Sequence, residues 1–288
     1  MFERLVFATD LSPASDMALD CVARWKGLGL RKVTVTHVHS LARTAGLEDV
    51  LRRDHEPKLE RQAQRLRDAG LFASWRLEFG VPYLELEGIA REEGAEAVVL
   101  GSHGSSWVKE VWLGSVADAI LRHVQLPVLV IKVNLLAAMV GEECGRFCDS
   151  LFTRVLLATD FSSASKGATA FAKRLAEKVG PQFHLVHVQE HSRLIPHLRS
   201  RLDEFNREDT LRLEELASEL RTAGASEVSL EIRLDHAVSG IVAAVKAWQP
   251  GLVLVGRHGR GGRRLIGSVA HDVARESPAP VLVIPEEV

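Results

Sequence analysis

The feature that most constrains the fold is an internal repeat, because one set of segments occurs twice along the chain in the same order. Residues 7–15 read FATDLSPAS and residues 157–165 read LATDFSSAS, so that six of nine positions are identical. Residues 113–132 and residues 266–285 share ten of twenty positions. Ordered matches of this kind indicate a duplicated domain. A length of 288 residues is sufficient for two domains of ordinary size.

The offsets between matched segments show where the two copies differ. Residues 37–38 (HV) recur as residues 187–188 at an offset of 150 positions. Residues 101–104 (GSHG) recur as residues 256–259 (GRHG) at an offset of 155, and the final segment recurs at an offset of 153. Copy two has therefore gained five residues before the glycine segment and lost two residues after it. The gain falls in a region of helix and loop, where insertions cost little.

Each copy alternates short apolar strands with amphipathic helices. In copy one, strands are predicted over 4–9, 32–38, 73–79, 97–100 and 128–131. Helices are predicted from Ser12 and Pro13 to just before Gly27, and over 46–69, 83–93 and 115–123. Pro57 is expected to kink the second helix or to mark its true start. The alternation predicts an α/β fold with a parallel sheet, helices on both faces and right-handed crossovers.

The repeat also sets the domain boundaries. We predict one domain over 1–133, a linker over 134–152 and a second domain over 153–288. Residues 135–139 of the linker are apolar and predict a short helix packed between the copies. The strands Val128 to Ile131 and Val281 to Ile284 would be hazardous as bare sheet edges. We therefore expect these two strands to pair in an intramolecular pseudo-dimer, and we expect a homodimer of whole chains as well.

Composition argues against several classes of partner. The formal net charge of −2 gives no electrostatic reason to expect nucleic acid or an anionic membrane. No apolar run approaches the roughly 18–20 residues of a membrane span, and the apolar start of the chain is too short for a signal peptide. Three cysteines in a chain of this size predict a reduced, cytoplasmic protein. The spacing of Cys144 and Cys148 is interpreted as incidental, with a regulatory disulfide in the linker as the alternative.

A glycine-rich loop in copy one has the composition of a phosphate site. The Walker pattern GxxxxGK[ST] is absent from the sequence, and strand one runs into Thr-Asp-Leu-Ser rather than into glycines. A P-loop NTPase and a Rossmann dehydrogenase are therefore disfavoured. Copy one has instead the pattern Gly101-x2-Gly104-x9-Gly114-Ser115, with Ser115 opening a helix. Glycines let the backbone approach an anion closely, and the N–H groups of a helix start favour phosphate.

Ligands of open parallel sheets bind beyond the carboxyl ends of the strands. Asp10 follows strand one, so we place its carboxylate at the nucleoside end, where it accepts from ribose hydroxyls or from an adenine amine. Backbone groups of Val38, after strand two, are expected to pair with the edge of the base. The alternative for Asp10 and Asp160 is a carboxylate that only favours a helix start. Ser12 and Ser162, however, are expected to fill that capping role.

These segments together give the chain a family resemblance. The sequence ATDxS after strand one, HV at strand two, GSHG-x9-GS and the closing PVLVIK resemble the universal stress protein family, over nearly all of both halves. The resemblance implies two tandem flavodoxin-like (Rossmann-like) domains with strand order 3-2-1-4-5 and dimerisation through the last strands. It also implies ATP, with Mg²⁺ as a candidate companion ion, in members that keep this glycine loop. The nucleotide-binding positions expected in copy one are Ala8, Asp10, Val38, Gly101, His103, Gly104, Gly114, Ser115 and Val116.

Copy two departs from the ATP-binding pattern. The positions expected to correspond there are Asp160, Val188, Gly256, Gly259, Gly267 and Ser268. Gly259 and Gly267 are separated by seven residues instead of nine, and arginines occupy positions 260, 263 and 264. Since an extended residue spans about 3.3–3.6 Å, the loss is expected to move the second half of the phosphate cradle by several ångströms unless the remainder straightens. Copy two either holds phosphate through its guanidinium groups or has lost the nucleotide.

Histidines near the strand ends have two interpretations each. His37 and His39 lie on one face of a strand, which suggests a metal, but the sequence shows no third ligand and no metal site is predicted. His103 and His258 lie between the loop glycines, where each contacts phosphate or hydrogen-bonds the loop.

No residue of the sequence has the pattern of an activated nucleophile or general base. The first hypothesis is therefore an ATP-binding stress or signalling regulator with slow or no ATP hydrolysis. The alternative is a protein–protein interaction module that keeps the fold without a nucleotide. An adenylating or nucleotide-hydrolysing enzyme is the weakest hypothesis, because the pyrophosphatase-type SGGxDS loop is absent from the sequence.

Overall fold

A computed structural model describes residues 2–40, 46–102, 113–139, 142–190, 202–259 and 266–286. The chain forms two compact units, Met1–Asp149 and Ser150–Val288. Each unit is an α/β domain built on a parallel sheet, as the repeat predicts. Among the helices of the described residues, none is both long enough and apolar enough to cross a membrane.

The first unit follows the predicted order of strands and helices. Its strands are β1 (Arg4–Ala8), β2 (Lys32–Ser40), β3 (Phe72–Gly80), β4 (Ala97–Gly101) and β5 (Val128–Ile131). Its helices are α1 (Pro13–Ala23), α2 (Glu48–Asp68), α3 (Pro82–Glu92), α4 (Ser115–His123), α5 (Val133–Ala137) and α6 (Glu142–Ser150), with a 3-10 helix at Arg24–Leu28. The strand bounds differ from the predicted bounds by at most two residues.

The sheet of the first unit is parallel, with the order β3-β2-β1-β4-β5. Leu5 of β1 pairs with Val33 of β2 on one side and with Ala97 of β4 on the other. The apolar residues of β1, β4 and β5 other than Ala8 are buried, as expected for strands of a parallel sheet covered on both faces. The strand order implied by the family resemblance is confirmed. Because the order reverses between β1 and β4, a crevice opens at their carboxyl ends.

The second unit repeats this plan. Its strands are β6 (Arg154–Ala158), β7 (Gln182–Glu190), β8 (Glu227–Asp235), β9 (Leu252–Gly256) and β10 (Val281–Ile284), in the order β8-β7-β6-β9-β10. Its helices are α7 (Lys166–Val179), α8 (Leu202–Thr222), α9 (Ala237–Trp248) and α10 (Ser268–Glu276), with a 3-10 helix at Ser163–Ser165.

Helix starts agree with the sequence in the first unit and differ in the second. The Ser12 side chain accepts a hydrogen bond from the N–H of Ser15 at 3.2 Å, which confirms Ser12 as the cap of α1. Ser162 was expected to cap its helix in the same way, and this is wrong. Its hydroxyl donates instead to the carboxylate of Asp160 at 2.6 Å, and a 3-10 turn precedes α7. Helix α2 contains Pro57 in its interior, so this proline does not mark the helix start.

The segment 134–152 holds most of α5 and all of α6, where the sequence predicts one short helix. Cys148 of α6 forms a disulfide with Cys21 of α1, with 4.9 Å between the Cα atoms, and Cys144 is free. Arg24 adds two hydrogen bonds to the Asp149 carboxylate, at 2.7 and 2.6 Å. The expectation of three reduced thiols is therefore wrong for Cys21 and Cys148. The paired cysteines are 127 residues apart, so no local spacing indicates the bond.

Candidate functional site

The first unit contains a cleft where the carboxyl ends of β1, β2 and β4 meet the start of α4. About 830 Å³ of space lies between its walls, counting space that is open to solvent. The residues predicted for the nucleotide that line this cleft are Ala8, Asp10, Val38, Gly101, Gly114, Ser115 and Val116. His103 and Gly104 lie outside the described residues. The fold therefore brings together residues from four separate parts of the sequence.

Asp10 is held at the end of β1 by its own neighbours. Its carboxylate oxygen Oδ1 accepts hydrogen bonds from the N–H of Ser12 at 3.1 Å and from the Ser15 hydroxyl at 2.6 Å. The next residue, Leu11, has a left-handed backbone with φ of 61°, which is uncommon for a side chain of this kind. Asp10 is exposed at the mouth of the cleft. The second carboxylate oxygen is therefore the acceptor that a ligand in the cleft can reach.

The start of α4 forms the opposite end of the cleft. The N–H of Gly114 donates to the carbonyl of Ser102 at 2.9 Å, which fixes the helix start beside the end of β4. Intrahelical hydrogen bonding begins with Asp118, whose N–H donates to the Gly114 carbonyl at 2.9 Å. The N–H groups of residues 115–117 therefore have no acceptor within the helix. Together with the helix dipole, these donors favour an anion at this end.

Sequence reasoning missed part of the lining. Pro82 and Leu86 of α3 contribute apolar surface, and Thr36 and His37 add polar atoms from β2. Helix α3 follows β3, which lies two strands from β1, so no motif along the chain indicates that it reaches this cleft. The combination of an apolar wall, an exposed carboxylate and a helix start suits a ligand with a flat base, hydroxyls and phosphates.

A buried lysine lies next to the cleft and was also missed. Lys132 directly follows β5 and is 8% exposed. The N–H of the adjacent Val133 lies 3.4 Å from the hydroxyl of Ser102, which lines the cleft. Burial lowers the pKa of Lys132 from its ordinary value of 10.5 to about 8. The ammonium form is thus costly at this position, although the group remains mostly charged at neutral pH.

The corresponding segments of the second unit keep the framework of the cradle. The N–H of Gly267 donates to the carbonyl of Arg257 at 2.8 Å, just as Gly114 donates to Ser102 in the first unit. A Cβ atom placed on Gly259 would lie 3.1 Å from Oδ2 of Asp160, so the first half of the loop also reaches the end of β6. Of the two outcomes expected for the shortened loop, displacement of the start of the last helix is therefore not the one observed. The arginines of this loop, at positions 260, 263 and 264, lie outside the described residues.

The second unit differs from the first in what surrounds that framework. Arg257 is fully buried at the position where the first unit has the much smaller Ser102. A Cβ atom on Gly240 of α9 would meet the side chain of Val188 at 3.0 Å, so Val188 packs directly against this helix. Phe161 lies against the ring of His187, with 4.6 Å between centroids. A large buried side chain thus occupies the position of Ser102, and a phenylalanine follows the position of Asp10.

Three histidines lie beside the cleft of the first unit. Burial is the main reason that the pKa values of His37, His39 and His55 are lowered from 6.5, and the proximity of the other imidazoles adds to it. Lys58 further lowers the pKa of His37 and of His55. The neutral imidazole is therefore the favoured form of each residue in the folded protein at neutral pH.

These pKa shifts predict a loss of stability on mild acidification. Below about pH 6.5 these histidines bind protons in the unfolded state but largely remain neutral in the folded state. Because the unfolded state then binds more protons, the free energy of unfolding falls as the pH is lowered. We expect the urea midpoint of the wild type to drop between about pH 7.5 and about pH 5.5. The double substitution His39→Gln with His55→Asp is expected to reduce this drop. An equal drop in both proteins would contradict the assignment.

The sequence model of the Universal stress protein family matches residues 1–132 and residues 151–285. The chain belongs to this family. Both units are thus universal stress protein domains in tandem, and the family resemblance read from the motifs is confirmed.

Individual universal stress proteins support the same conclusion. A relative from Mycobacterium tuberculosis is 31% identical over 224 residues, which cover 75% of this chain and 70% of the relative. A relative from Methanocaldococcus jannaschii is 28% identical over 155 residues, which cover 46% of this chain and 96% of the relative. The crystal structure of a universal stress protein from Archaeoglobus fulgidus has a TM-score of 0.78 and 25% identity, covering 99% of this chain and 98% of that chain.

Proposed function

We propose that this universal stress protein binds ATP in the cleft of the first unit and acts as a nucleotide-dependent stress or signalling regulator. The observation that carries the proposal is the convergence of Asp10, Val38, Gly101 and Gly114 on one cleft. These residues come from the segments whose pattern resembles the ATP-binding members of the family. The cleft also has the polarity that such a ligand needs, with an acceptor at one end and helix N–H donors at the other.

The two ends of the cleft suggest the orientation of the nucleotide. We place the phosphates at the start of α4, where the N–H groups of residues 115–117 and the Ser115 hydroxyl donate. The nucleoside then lies toward Asp10 and Val38, with its base against the apolar surface of Pro82 and Leu86. The reverse orientation would bring the Asp10 carboxylate against the phosphates, which is repulsive. A Mg²⁺ ion that accompanies ATP would bind through the phosphates.

We propose slow or no hydrolysis of the bound ATP. The Asp10 carboxylate already accepts hydrogen bonds from Ser12 and Ser15, and in this orientation it lies at the nucleoside end. At the phosphate end, the described lining consists of glycine, serine and apolar residues. Occupancy of the cleft, rather than turnover, is then the signal that partners detect.

Calorimetric titration of the full-length chain with Mg-ATP tests the proposal. We expect saturable binding, with at least one equivalent of ATP per chain attributable to the first unit. Mass spectrometry of the freshly purified protein for bound nucleotide is an independent readout. Absence of both heat and co-purified nucleotide would contradict the ATP proposal and would favour the protein–protein interaction module.

Asp10→Asn is expected to lower the affinity for ATP by about tenfold or more, as is typical for losing a hydrogen bond to a charged group. Asparagine keeps one acceptor for Ser12 and Ser15 but replaces the outer oxygen by an amide donor. If Asp10 accepts a hydrogen bond from a ribose hydroxyl, removing that hydroxyl with a deoxyribonucleotide and removing the acceptor with Asp10→Asn each lower the affinity, but the two losses of affinity will not be additive. If Asp10 accepts instead from the adenine amine, the non-additive loss of affinity will be seen with inosine triphosphate, which lacks that amine. If the affinity of Asp10→Asn for ATP equals that of the wild type, Asp10 does not contact the nucleotide.

Assembly and location are further parts of the proposal. We propose that β5 and β10 pair as an intramolecular pseudo-dimer, because their β-branched edges need cover, and that whole chains form a homodimer. Light scattering distinguishes a chain of 31.7 kDa from a dimer of twice that mass. We place the protein in the cytoplasm, where ATP is abundant.

A further inference from the structure

A cluster of three imidazoles lies at the carboxyl end of β2, beside the nucleotide cleft. His37 and His39 come from one face of β2, and His55 comes from α2, sixteen residues after His39. One ring nitrogen of each residue can be chosen so that all three lie within 4.8 Å of one another. The ring of His39 stacks on that of His55, with 4.8 Å between centroids, and the ring of His37 stands edge-on to His39 at 4.4 Å.

The outer nitrogens of two of these rings have acceptors of their own. Nδ1 of His37 lies 2.7 Å from the carbonyl oxygen of Thr9, so this nitrogen carries the proton and donates. Nε2 of His55 lies 3.2 Å from the carboxylate of Asp54. These are the carbonyl and carboxylate partners that fix the tautomer and the orientation of metal-binding histidines. They leave Nε2 of His37 and Nδ1 of His55 as the nitrogens that carry lone pairs. In the metal-free protein Nε2 of His39 then donates a hydrogen bond to Nδ1 of His55 at 2.7 Å, so metal binding requires His39 to carry its proton on Nδ1 instead.

The third nitrogen completes a set of ligands near the spacing that a metal requires. Nε2 of His39 lies 2.7 Å from Nδ1 of His55. Tetrahedral coordination with Zn–N bonds of about 2.0–2.1 Å places ligand nitrogens about 3.3 Å apart. The His39 and His55 rings must therefore separate by about half an ångström, and the wider separations within the set, up to 4.8 Å, must close by about 1.5 Å or less. All three side chains are half-buried, and rotations of their rings provide movements of this size.

The charges around the cluster suit a cation whose ligands are neutral. The lowered pKa values of the three histidines leave lone pairs available at neutral pH. Asp10 and Asp54 contribute negative charge nearby, and Lys58 is paired with Asp54 at 2.6 Å. Because the neutral imidazoles already carry these lone pairs, a metal ion binds without first releasing an extra proton from them.

The second unit has no cluster of three histidines at the corresponding positions, all of which the structure describes. His187 of β7 keeps the hydrogen bond from Nδ1 to a carbonyl, that of Thr159, at 2.8 Å. Gln189 replaces His39, and Asp209 of α8 faces both residues, 2.9 Å from the Gln189 amide nitrogen and 3.3 Å from Nε2 of His187. These partners satisfy one another by hydrogen bonds and include one imidazole instead of three. The duplication therefore supplies a natural comparison for the cluster of the first unit.

We propose that His37, His39 and His55 form a binding site for one zinc-class divalent ion, with a fourth coordination position open. Three histidine ligands and one open position are typical of zinc sites that accept water or an exogenous ligand. Because His37 also lines the nucleotide cleft, the ion lies at the edge of that cleft. None of the three histidines is proposed to bind phosphate. The metal site is therefore independent of the proposed binding of ATP.

The test is Zn²⁺ binding by the full-length chain, stripped of metal and free of nucleotide, in competition with a chromophoric chelator. We expect one tight equivalent in the wild type, and a visible tetrahedral spectrum when Co²⁺ replaces Zn²⁺. His39→Gln with His55→Asp installs the residues that the second unit uses at these positions. It is expected to weaken Zn²⁺ binding by at least about 100-fold. His236→Gln removes an exposed histidine elsewhere and is expected to change nothing.

If the double variant does not fold, NMR of the histidine ring nitrogens in the wild type tests the proposal without a substitution. One equivalent of Zn²⁺ is expected to shift the ring nitrogen signals of three histidines and to leave those of His187 unchanged. Absence of a tight equivalent in the wild type would overturn the proposal. Zinc affinity that survives the double substitution, or that is lost with His236→Gln, would equally overturn it.

Discussion

Replacing Gly114 by aspartate is expected to lower the affinity for ATP by at least about 100-fold while leaving the fold intact. Gly114 precedes α4 with φ of −58° and ψ of 148°, an extended conformation that any residue adopts. Aspartate is among the best helix-capping residues, so the substitution should stabilise α4. Its carboxylate would then occupy the phosphate end of the cleft. Near a protein surface, two like charges about 4 Å apart repel by about 4 kcal/mol, more than the about 2.7 kcal/mol of a hundredfold loss.

Two controls separate charge from shape in this experiment. Gly114→Ser caps the helix without a charge and is expected to retain much more of the affinity. Gly267→Asp makes the same change in the second unit, where φ is −67° and ψ is 147°. It should leave the site of the first unit unaffected. Calorimetry measures the affinities, and circular dichroism checks the fold. ATP binding by Gly114→Asp at the level of wild type would exclude the start of α4 as the phosphate site.

Replacing Lys132 by methionine is expected to stabilise the protein by up to about 3 kcal/mol at neutral pH. The pKa of Lys132 is lowered from 10.5 to about 8 by burial, and each pKa unit corresponds to about 1.4 kcal/mol. Methionine has a similar length and no charge to desolvate. The measurement is the free energy of unfolding from urea titrations. Lys166→Met, at an exposed lysine of α7, is the matched control and should change stability by less than about 0.5 kcal/mol.

The same shift predicts a pH dependence that the variant lacks. Between pH 8 and 10.5 the unfolded lysine keeps its proton while the folded lysine has lost it. The unfolded state therefore binds more protons, and the free energy of unfolding contributed by Lys132 rises with pH across this window. In Lys132→Met that contribution should disappear. A variant that is less stable than the wild type at neutral pH would show that the ammonium group contributes contacts that outweigh its desolvation.

The sequence predicts the fold well because the fold depends on local patterns, and these patterns occur in both copies of the repeat. The apolar runs of β1, β4 and β5 give the strands to within two residues, and Ser12 with Pro13 gives the start of α1. The glycine and aspartate motifs place one side of the cleft, since strands of a parallel sheet end at the same edge. These signals lie within a few residues of one another, and no knowledge of packing is needed to read them.

The features that the sequence does not predict depend on contacts between distant segments. His55 joins His37 and His39 only because α2 packs on β2, and Cys21 meets Cys148 only because α6 lies on α1. The burial of Lys132 depends on what surrounds the end of β5. The number of residues in the loop of the second unit allows either a shifted cradle or a straightened loop. The hydrogen bond from the N–H of Gly267 to the carbonyl of Arg257 fixes the position of the helix start, and the length of the loop does not predict this bond.

The claim that the first unit binds ATP is tested by native mass spectrometry of the full-length chain with ATP, which counts the nucleotides bound to each chain. We predict one strongly bound ATP per wild-type chain, lost in Gly114→Asp and retained in Gly267→Asp. A wild-type chain that binds no ATP would contradict the claim. So would an ATP that survives Gly114→Asp and is lost in Gly267→Asp, since the nucleotide site would then belong to the second unit.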